Sequence, residues 1–158
     1  MAHSVIYLVR HAKAGTRDSW DGDDRHRPLS ARGRVQARAL AELLQDATFD
    51  RILSSPYVRC METVVPIAGN RGMAVEPVEE LTEGAPLDPA IALVRKHAVS
   101  GALMCMHGDV LPALLDFYEA AGVDIPSERD WPKGCVWTLD TDNTGEVVRA
   151  RYTPPPAT

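Results

Sequence analysis

The sequence is poor in the features that mark membrane, secreted or nucleic-acid-binding proteins. No apolar stretch approaches the roughly 18 residues that a membrane span needs. Lys and Arg number 17 against 22 Asp and Glu, so the chain lacks the excess positive charge that nucleic acids and anionic membranes attract. The three cysteines are odd in number and widely separated, which fits free thiols in a reducing cytoplasm better than a disulfide framework. We therefore expect a cytoplasmic protein that binds neither nucleic acid nor membrane.

The length and composition are those of one globular domain. Hydrophobic residues make up 45% of the 158 residues and charged residues 25%, which is enough apolar material to bury a single core. We expect one domain over residues 1–153, followed by a disordered, proline-rich tail at residues 154–158.

Strands and helices alternate along the chain. Val5–Val9 and Ala102–Met106 are apolar without polar alternation, which is typical of strands buried on both faces of a parallel sheet. Further strands are predicted at residues 51–54 and 74–78, and an antiparallel hairpin at residues 133–140 and 146–152. This order predicts an α/β fold: a three-layer α/β/α sandwich with a mostly parallel sheet and a C-terminal antiparallel hairpin.

Capping signals mark the expected helices. Ser30 and Asp109 are candidate N-caps, and Ser55-Pro56 and Asp88-Pro89 combine a cap with a proline at the first helical position. Pro66 is expected to kink or end the helix that follows Ser55.

Several chemically active side chains follow the predicted strands directly. The first strand is followed by Arg10-His11, and the fourth strand by His107-Gly108. Arg59 lies in the first turn of the helix that follows the second strand. Ligands of open α/β sheets bind at the carboxyl ends of the strands, so we expect these side chains to converge. Two guanidiniums, two imidazoles and a helix N-terminus form an anion site whose donor density suits a phosphoryl group.

Each of these residues also has an ordinary structural explanation. A histidine at a strand end is commonly just hydrogen-bonded, and Arg59 could be solvated or paired with Glu62. His107-Gly108 could be a turn, and the acidic loop after the third strand could be solvated. Lys13 would ordinarily be an exposed lysine, and Trp20 would pack on the domain surface unless it stacks on a nucleobase or meets a partner.

Four motifs occur in order along the chain: Leu8-Val9-Arg10-His11-Ala12; Arg27-Pro28-Leu29-Ser30 with Gly33, Gln36 and Ala37; Ser54-Ser55-Pro56 with Arg59 and Thr63; and Met106-His107-Gly108. This ordered set resembles the histidine phosphatase superfamily, in particular its short phosphohistidine-phosphatase branch and the phosphatase domains fused to some bacterial Nudix hydrolases. The strand that begins at Lys133-Gly134-Cys135 extends the match.

The resemblance implies that His11 is a nucleophile that becomes phosphohistidine. It also implies that Arg10, Arg59, His107 and Gly108 hold the phosphoryl oxygens, with His107 counted among the catalytic residues.

Glu83 is the expected general acid by resemblance, because Leu81-Thr82-Glu83 matches the family pattern, and Glu80 is the alternative. The resemblance implies no cofactor. Asp23, Asp24 and Asp109 lack metal-ligand spacing, so we expect no metal.

The function expected from this reading is a metal-independent phosphatase acting on a phosphorylated small molecule or a phosphoprotein. Two alternatives remain open: a phosphate-binding module of the same fold that catalyses no reaction, and a mutase. The sequence leaves the oligomeric state open.

Overall fold

The computed structural model describes residues 4–158, so residues 1–3 of the expected domain lie outside the described residues. Among the described residues, six strands form one sheet in the order β3-β2-β4-β1-β5-β6. The strands are β1 Val5–Arg10, β2 Arg51–Ser54, β3 Val75–Pro77, β4 Ala102–Met106, β5 Val136–Thr141 and β6 Val147–Thr153. The first four are mutually parallel, whereas β5 runs antiparallel to both β1 and β6.

Four helices cover the two faces of this sheet: α1 Ala31–Leu43, α2 Val58–Arg71, α3 Leu87–His97 and α4 Val110–Ala120. Buried residues of α1 and α2 form one core cluster with Val9, Ile52 and Leu103. Those of α3 and α4 form a second cluster with Ile6, Leu8 and Met104 on the other face. Successive side chains of a strand point to opposite faces, so a strand between two helix layers needs apolar residues at every position. The three-layer sandwich and the antiparallel hairpin are confirmed.

Two capping predictions agree with the structure. The Ser30 hydroxyl accepts a hydrogen bond from the Gly33 N–H at 3.0 Å at the start of α1. One carboxylate oxygen of Asp109 accepts from the Val110 N–H at 2.9 Å at the start of α4.

The two cap-plus-proline predictions are wrong. Helix α3 begins at Leu87, so Pro89 lies inside its first turn, where backbone N–H groups need no helical acceptor. Helix α2 begins at Val58, and its N-cap residue is Tyr57, which makes no side-chain cap hydrogen bond. The Ser55 hydroxyl accepts from the Tyr57 N–H at 3.3 Å, before the helix, and also contacts His107 Nε2.

Of the two expectations for Pro66, the one that it ends its helix is wrong, and the one that it kinks the helix stays a prediction. Helix α2 continues to Arg71. Ile67 and Ala68 are buried beyond the proline, and their burial offsets the roughly 3 kcal/mol that an interior proline costs.

The end of the chain has no helix or strand after Thr153. That residues 154–158 are disordered in solution stays a prediction. Within residues 4–158, no helix is long and apolar enough to cross a membrane.

Candidate active site

The pairing of β1 with β4 brings the two histidines together. Arg10 and Met106 are register partners at the carboxyl ends of these neighbouring strands. His11 and His107 each follow one of them, and their ring centroids lie 5.5 Å apart. Strand β2 flanks β4 on its other side, which brings Ser55 to the same edge of the sheet.

His11 is 5% exposed and is held in one tautomer. Its Nδ1 lies 2.7 Å from the Ala12 carbonyl oxygen. Because a carbonyl oxygen can only accept, Nδ1 carries the proton and Nε2 carries a free lone pair. Burial lowers the pKa of His11 from 6.5 to about 3, opposed by the Ala12 hydrogen bond and assisted by the Arg59 and Arg10 guanidiniums. The imidazole is therefore neutral and nucleophilic near pH 7.

Two backbone hydrogen bonds fix the His11 segment. The His11 N–H donates to the Met106 carbonyl at 3.1 Å. The Ala12 N–H donates to Oγ1 of Thr63 at 2.9 Å, and the Thr63 hydroxyl donates to the Arg59 carbonyl at 2.7 Å. The loop after β1 is thus attached to both β4 and the first turns of α2.

His107 is 1% exposed, and its two ring nitrogens have different surroundings. Nε2 lies 2.8 Å from the Ser55 hydroxyl and 3.5 Å from the Cys60 sulfur. Nδ1 lies 4.0 Å from Oε1 of Glu83 and has no hydrogen-bond partner among residues 4–158. If the Ser55 hydroxyl donates to Nε2, the proton of a neutral ring is on Nδ1, the nitrogen nearest to Glu83.

Arg59 is fully buried and is paired with carboxylates from two distant loops. Its guanidinium donates to the carbonyl and to Oδ2 of Asp24 at 2.9 and 3.1 Å, and to Oε1 of Glu83 at 3.3 Å. The alternative pairing with Glu62 is wrong, because the Glu62 carboxylate instead accepts from the Leu29 N–H at 2.8 Å. Arg59 Nε is a buried donor without a partner in the described part of the chain.

Asp24 belongs to the site through its ion pair with Arg59, a contact that the sequence did not predict. Partial burial opposes its ionisation, but a hydrogen bond from Arg27 and the charge of Arg59 hold its pKa below the ordinary value. The sequence gives little indication of this ion pair, because Asp24 is one of several acidic residues in a surface loop.

Arg10 packs against the Gly108 backbone. Its Nη1 donates to the Trp131 carbonyl at 2.8 Å, while its Nε has no partner within residues 4–158. A Cβ at position 108 would lie 2.6 Å from Arg10 Nη2. Only glycine therefore leaves room for the guanidinium here.

The structure separates the two candidate general acids. Glu83 lines the cleft, and its loop is fixed by the Gly84 N–H, which donates to Oδ2 of Asp109 at 2.7 Å. Glu80 is exposed and lies outside the cleft lining. Glu83 is thus the carboxylate placed beside Arg59 and His107.

The cleft around these residues has a volume of about 640 Å³ and is strongly basic. Its acidic lining residues are Glu83 and Asp109. Its basic lining residues are Arg10, Lys13, Arg17, Arg27, Arg59 and Lys133, with His11 at the base. A protein with a net charge of −5 therefore concentrates positive potential at one concave site.

Other sequence candidates lie outside this chemistry. Trp20 donates from Nε1 to the Asp23 carbonyl at 2.8 Å, so it packs on its own loop. The three cysteines are buried free thiols, and none lines the cleft formed by the described residues. In the described range 4–158, no three His, Cys, Asp or Glu side chains are grouped so that they could hold a metal ion.

Comparisons with known proteins place this arrangement in a family. An "8-oxo-(d)GTP phosphatase" of Mycolicibacterium smegmatis is 33% identical over 157 residues, which cover 96% of this chain. The chain spans about half (48%) of that protein's length.

Solved structures share the fold. The protein histidine phosphatase SixA complexed with tungstate has a TM-score of 0.73 at 20% identity, with 95% of this chain and 94% of that one covered. A mycobacterial glucosyl-3-phosphoglycerate phosphatase with inorganic phosphate has a TM-score of 0.64 at 18% identity, with 98% of both chains covered. Residues 6–86, just over half of the chain, match the family model itself. The chain belongs to the histidine phosphatase superfamily (branch 1).

Proposed function

We propose that this protein is a metal-independent phosphatase that hydrolyses a phosphomonoester or a protein phosphohistidine through a covalent phosphohistidine on His11. The observation that carries the proposal is the 2.7 Å contact between His11 Nδ1 and the Ala12 carbonyl. It leaves Nε2 unprotonated among Arg10, Arg59 and His107. Family membership and the relatives' names support phosphatase chemistry in general.

The first step would be attack of His11 Nε2 on phosphorus. The Nε2–P bond forms as the P–O bond to the leaving group breaks, and negative charge stays on the phosphoryl oxygens. The buried donors without partners, Arg59 Nε, Arg10 Nε and His107 Nδ1, are suited to those oxygens. The Gly108 backbone lies beside them.

Glu83 would handle the proton of the leaving oxygen. Glu83 lines the cleft beside the phosphoryl site, so it would donate a proton to the leaving oxygen. In the second step, the carboxylate takes a proton from water as the water oxygen attacks phosphorus. The Nε2–P bond breaks, and inorganic phosphate and neutral His11 are regenerated.

The names of the relatives cover two kinds of phosphorylated substrate. The M. smegmatis relative is named for a nucleoside triphosphate, and SixA is named a protein histidine phosphatase. The cleft suits a phosphorylated small molecule or a phosphoprotein side chain. Free thiols at all three cysteines agree with the proposed cytoplasmic location.

The decisive experiment is to trap the intermediate. Wild-type protein is mixed with an aryl phosphate, quenched and analysed by mass spectrometry for an acid-labile phosphoryl group on His11. The Glu83→Gln variant should accumulate more of this species because its hydrolysis is slower.

The matched control is His26→Ala at an exposed histidine, which should be phosphorylated at His11 and turn over as the wild type does. A folded His11→Ala variant that retains turnover would exclude the mechanism. A wild-type protein that binds phosphate but forms no phosphoenzyme and hydrolyses nothing would instead indicate a binding module.

A further inference from the structure

The cleft contains more positive charge than the phosphoryl site uses. Of the chain's three lysines, Lys13 and Lys133 line the cleft. Neither forms an ion pair with any of residues 4–158. The acidic lining residues are already engaged, since Glu83 pairs with Arg59 and Arg17, and Asp109 accepts from the Val110 and Gly84 N–H groups. The two lysines therefore have no ion-pair partner in the described part of the chain.

One side chain joins the backbones of these two lysines. Oε1 of Gln36, on α1, accepts from the Lys13 N–H at 3.0 Å, and its Nε2 donates to the Lys133 carbonyl at 2.9 Å. The Lys13 carbonyl also accepts from the Ser30 N–H at 3.0 Å. Two segments that are far apart in sequence are thus held together at the cleft.

The close packing around this connection leaves little freedom for either segment. A Cβ at Gly33 would lie 1.8 Å from the Lys13 carbonyl oxygen, and a Cβ at Gly134 would lie 2.4 Å from Gln36 Nε2. The backbone placement of both lysines is therefore built into the fold, and their side chains remain largely open to solvent.

Electrostatics agree with a concentrated positive field at this place. Partial burial lowers the pKa of Lys133, and the charges of Arg10, Arg27 and Lys13 lower it further. Bringing like charges together costs free energy, and an anion bound between them would offset that cost.

We propose that Lys13 and Lys133 form a second anion subsite, which binds the next phosphate of a substrate with a diphosphate or longer phosphate chain. This inference rests on the proposed function, because His11 would attack the terminal phosphorus. The Nε2–P bond forms and the bridging P–O bond breaks, and the bridging oxygen departs with the penultimate phosphate. The two ammonium groups stabilise the charge that develops on that leaving phosphate, and water later releases the terminal group as inorganic phosphate.

The test compares kcat/KM for ADP, which carries the second phosphate, with kcat/KM for 4-nitrophenyl phosphate, which does not. The variants are Lys13→Met, Lys133→Met and the double substitution, which remove charge at similar side-chain length. Each single substitution should lower the ratio of kcat/KM for ADP to kcat/KM for the aryl phosphate about tenfold. A tenfold change corresponds to the loss of roughly one hydrogen bond to a charged group. Lys96→Met, at the exposed third lysine on α3, is the matched control and should keep the wild-type ratio.

Two outcomes would overturn the inference: no cleavage of ADP by wild-type protein that hydrolyses the aryl phosphate, or a ratio that stays within twofold in both single variants, including the case in which both substrates lose equally. The first would leave the proposed phosphatase function standing.

If the wild type hydrolyses neither substrate, calorimetric binding of inorganic pyrophosphate and of phosphate decides the subsite separately from catalysis. Pyrophosphate should bind tighter than phosphate in a lysine-dependent manner. Equal affinities, or a preference that survives in the double variant, would refute the subsite.

Discussion

Acidification from pH 7 to pH 5 should destabilise the protein through His11 in particular. Burial lowers the pKa of the folded-state imidazole from 6.5 to about 3. The unfolded chain therefore binds the additional proton between about pH 6.5 and pH 3, whereas the folded chain does not. The unfolding free energy contributed by this residue is at its full value above pH 6.5 and falls as the pH falls through that window.

The size of the effect follows from the two pKa values. At pH 5, an unfolded histidine with a pKa of 6.5 is mostly protonated, while folded His11 with a pKa of about 3 is still neutral. Each pH unit between the two pKa values costs about 1.4 kcal/mol, so the step from pH 7 to pH 5 should cost about 2 kcal/mol.

The assay is urea unfolding at both pH values, in buffers free of phosphate so that ligand binding does not stabilise the folded state. The comparison variant is His11→Asn, whose amide can still donate to the Ala12 carbonyl but does not titrate. Wild-type protein should lose about 2 kcal/mol more than His11→Asn between pH 7 and pH 5. His26→Asn, at an exposed histidine, should lose as much as the wild type. Equal losses in wild type and His11→Asn would refute a neutral, buried His11.

Three further predictions concern the neighbours of His11. Glu83→Gln should lower kcat/KM for an alkyl phosphate about 100-fold and for an aryl phosphate far less, because a poor leaving group needs the proton most; equal losses in steady-state assays would reject Glu83 as the acid. Gly108→Ala should displace the Arg10 guanidinium and so raise KM for an aryl phosphate about tenfold, while the free energy of unfolding in urea falls by less than about 1 kcal/mol. Gly33→Ala, whose Cβ would lie 1.8 Å from the Lys13 carbonyl oxygen, should lower the free energy of unfolding by about 1–3 kcal/mol. Similar stability losses in the two variants would contradict this distinction. Ser55→Ala should lower stability by about 1–3 kcal/mol and weaken inhibition by phosphate, because His107 Nε2 loses its 2.8 Å partner; unchanged inhibition would show that Ser55 does not orient the ring.

The strands were the most predictable part of the fold. Ala102–Met106 and Arg51–Ser54 have the bounds that the sequence indicates. Helix layers cover both faces of β4, so every residue of that strand is buried and must be apolar. The apolar composition of Ala102–Met106 is therefore enough to predict this strand.

Helix starts were less predictable, and one of the mispredicted starts lies beside the candidate site. Ser55 followed by proline has the form of an N-cap, but its hydroxyl bonds His107 Nε2 and α2 begins three residues later. A cap rule considers only the local chain, whereas this hydroxyl serves a ring 52 positions away. The mismatch between local signal and structure thus occurs within the candidate site.

His11 and His107 could be placed after buried parallel strands from the sequence alone, since apolar runs and strand order are local properties that lead to a common sheet edge. The folded structure was needed to show which carboxylates accompany Arg59, that Glu83 rather than Glu80 lines the cleft, and that Gln36 joins the Lys13 and Lys133 segments. Those contacts connect loops distant in sequence. Their distances depend on how the loops pack on the sheet, and no spacing of residues along the chain encodes that packing.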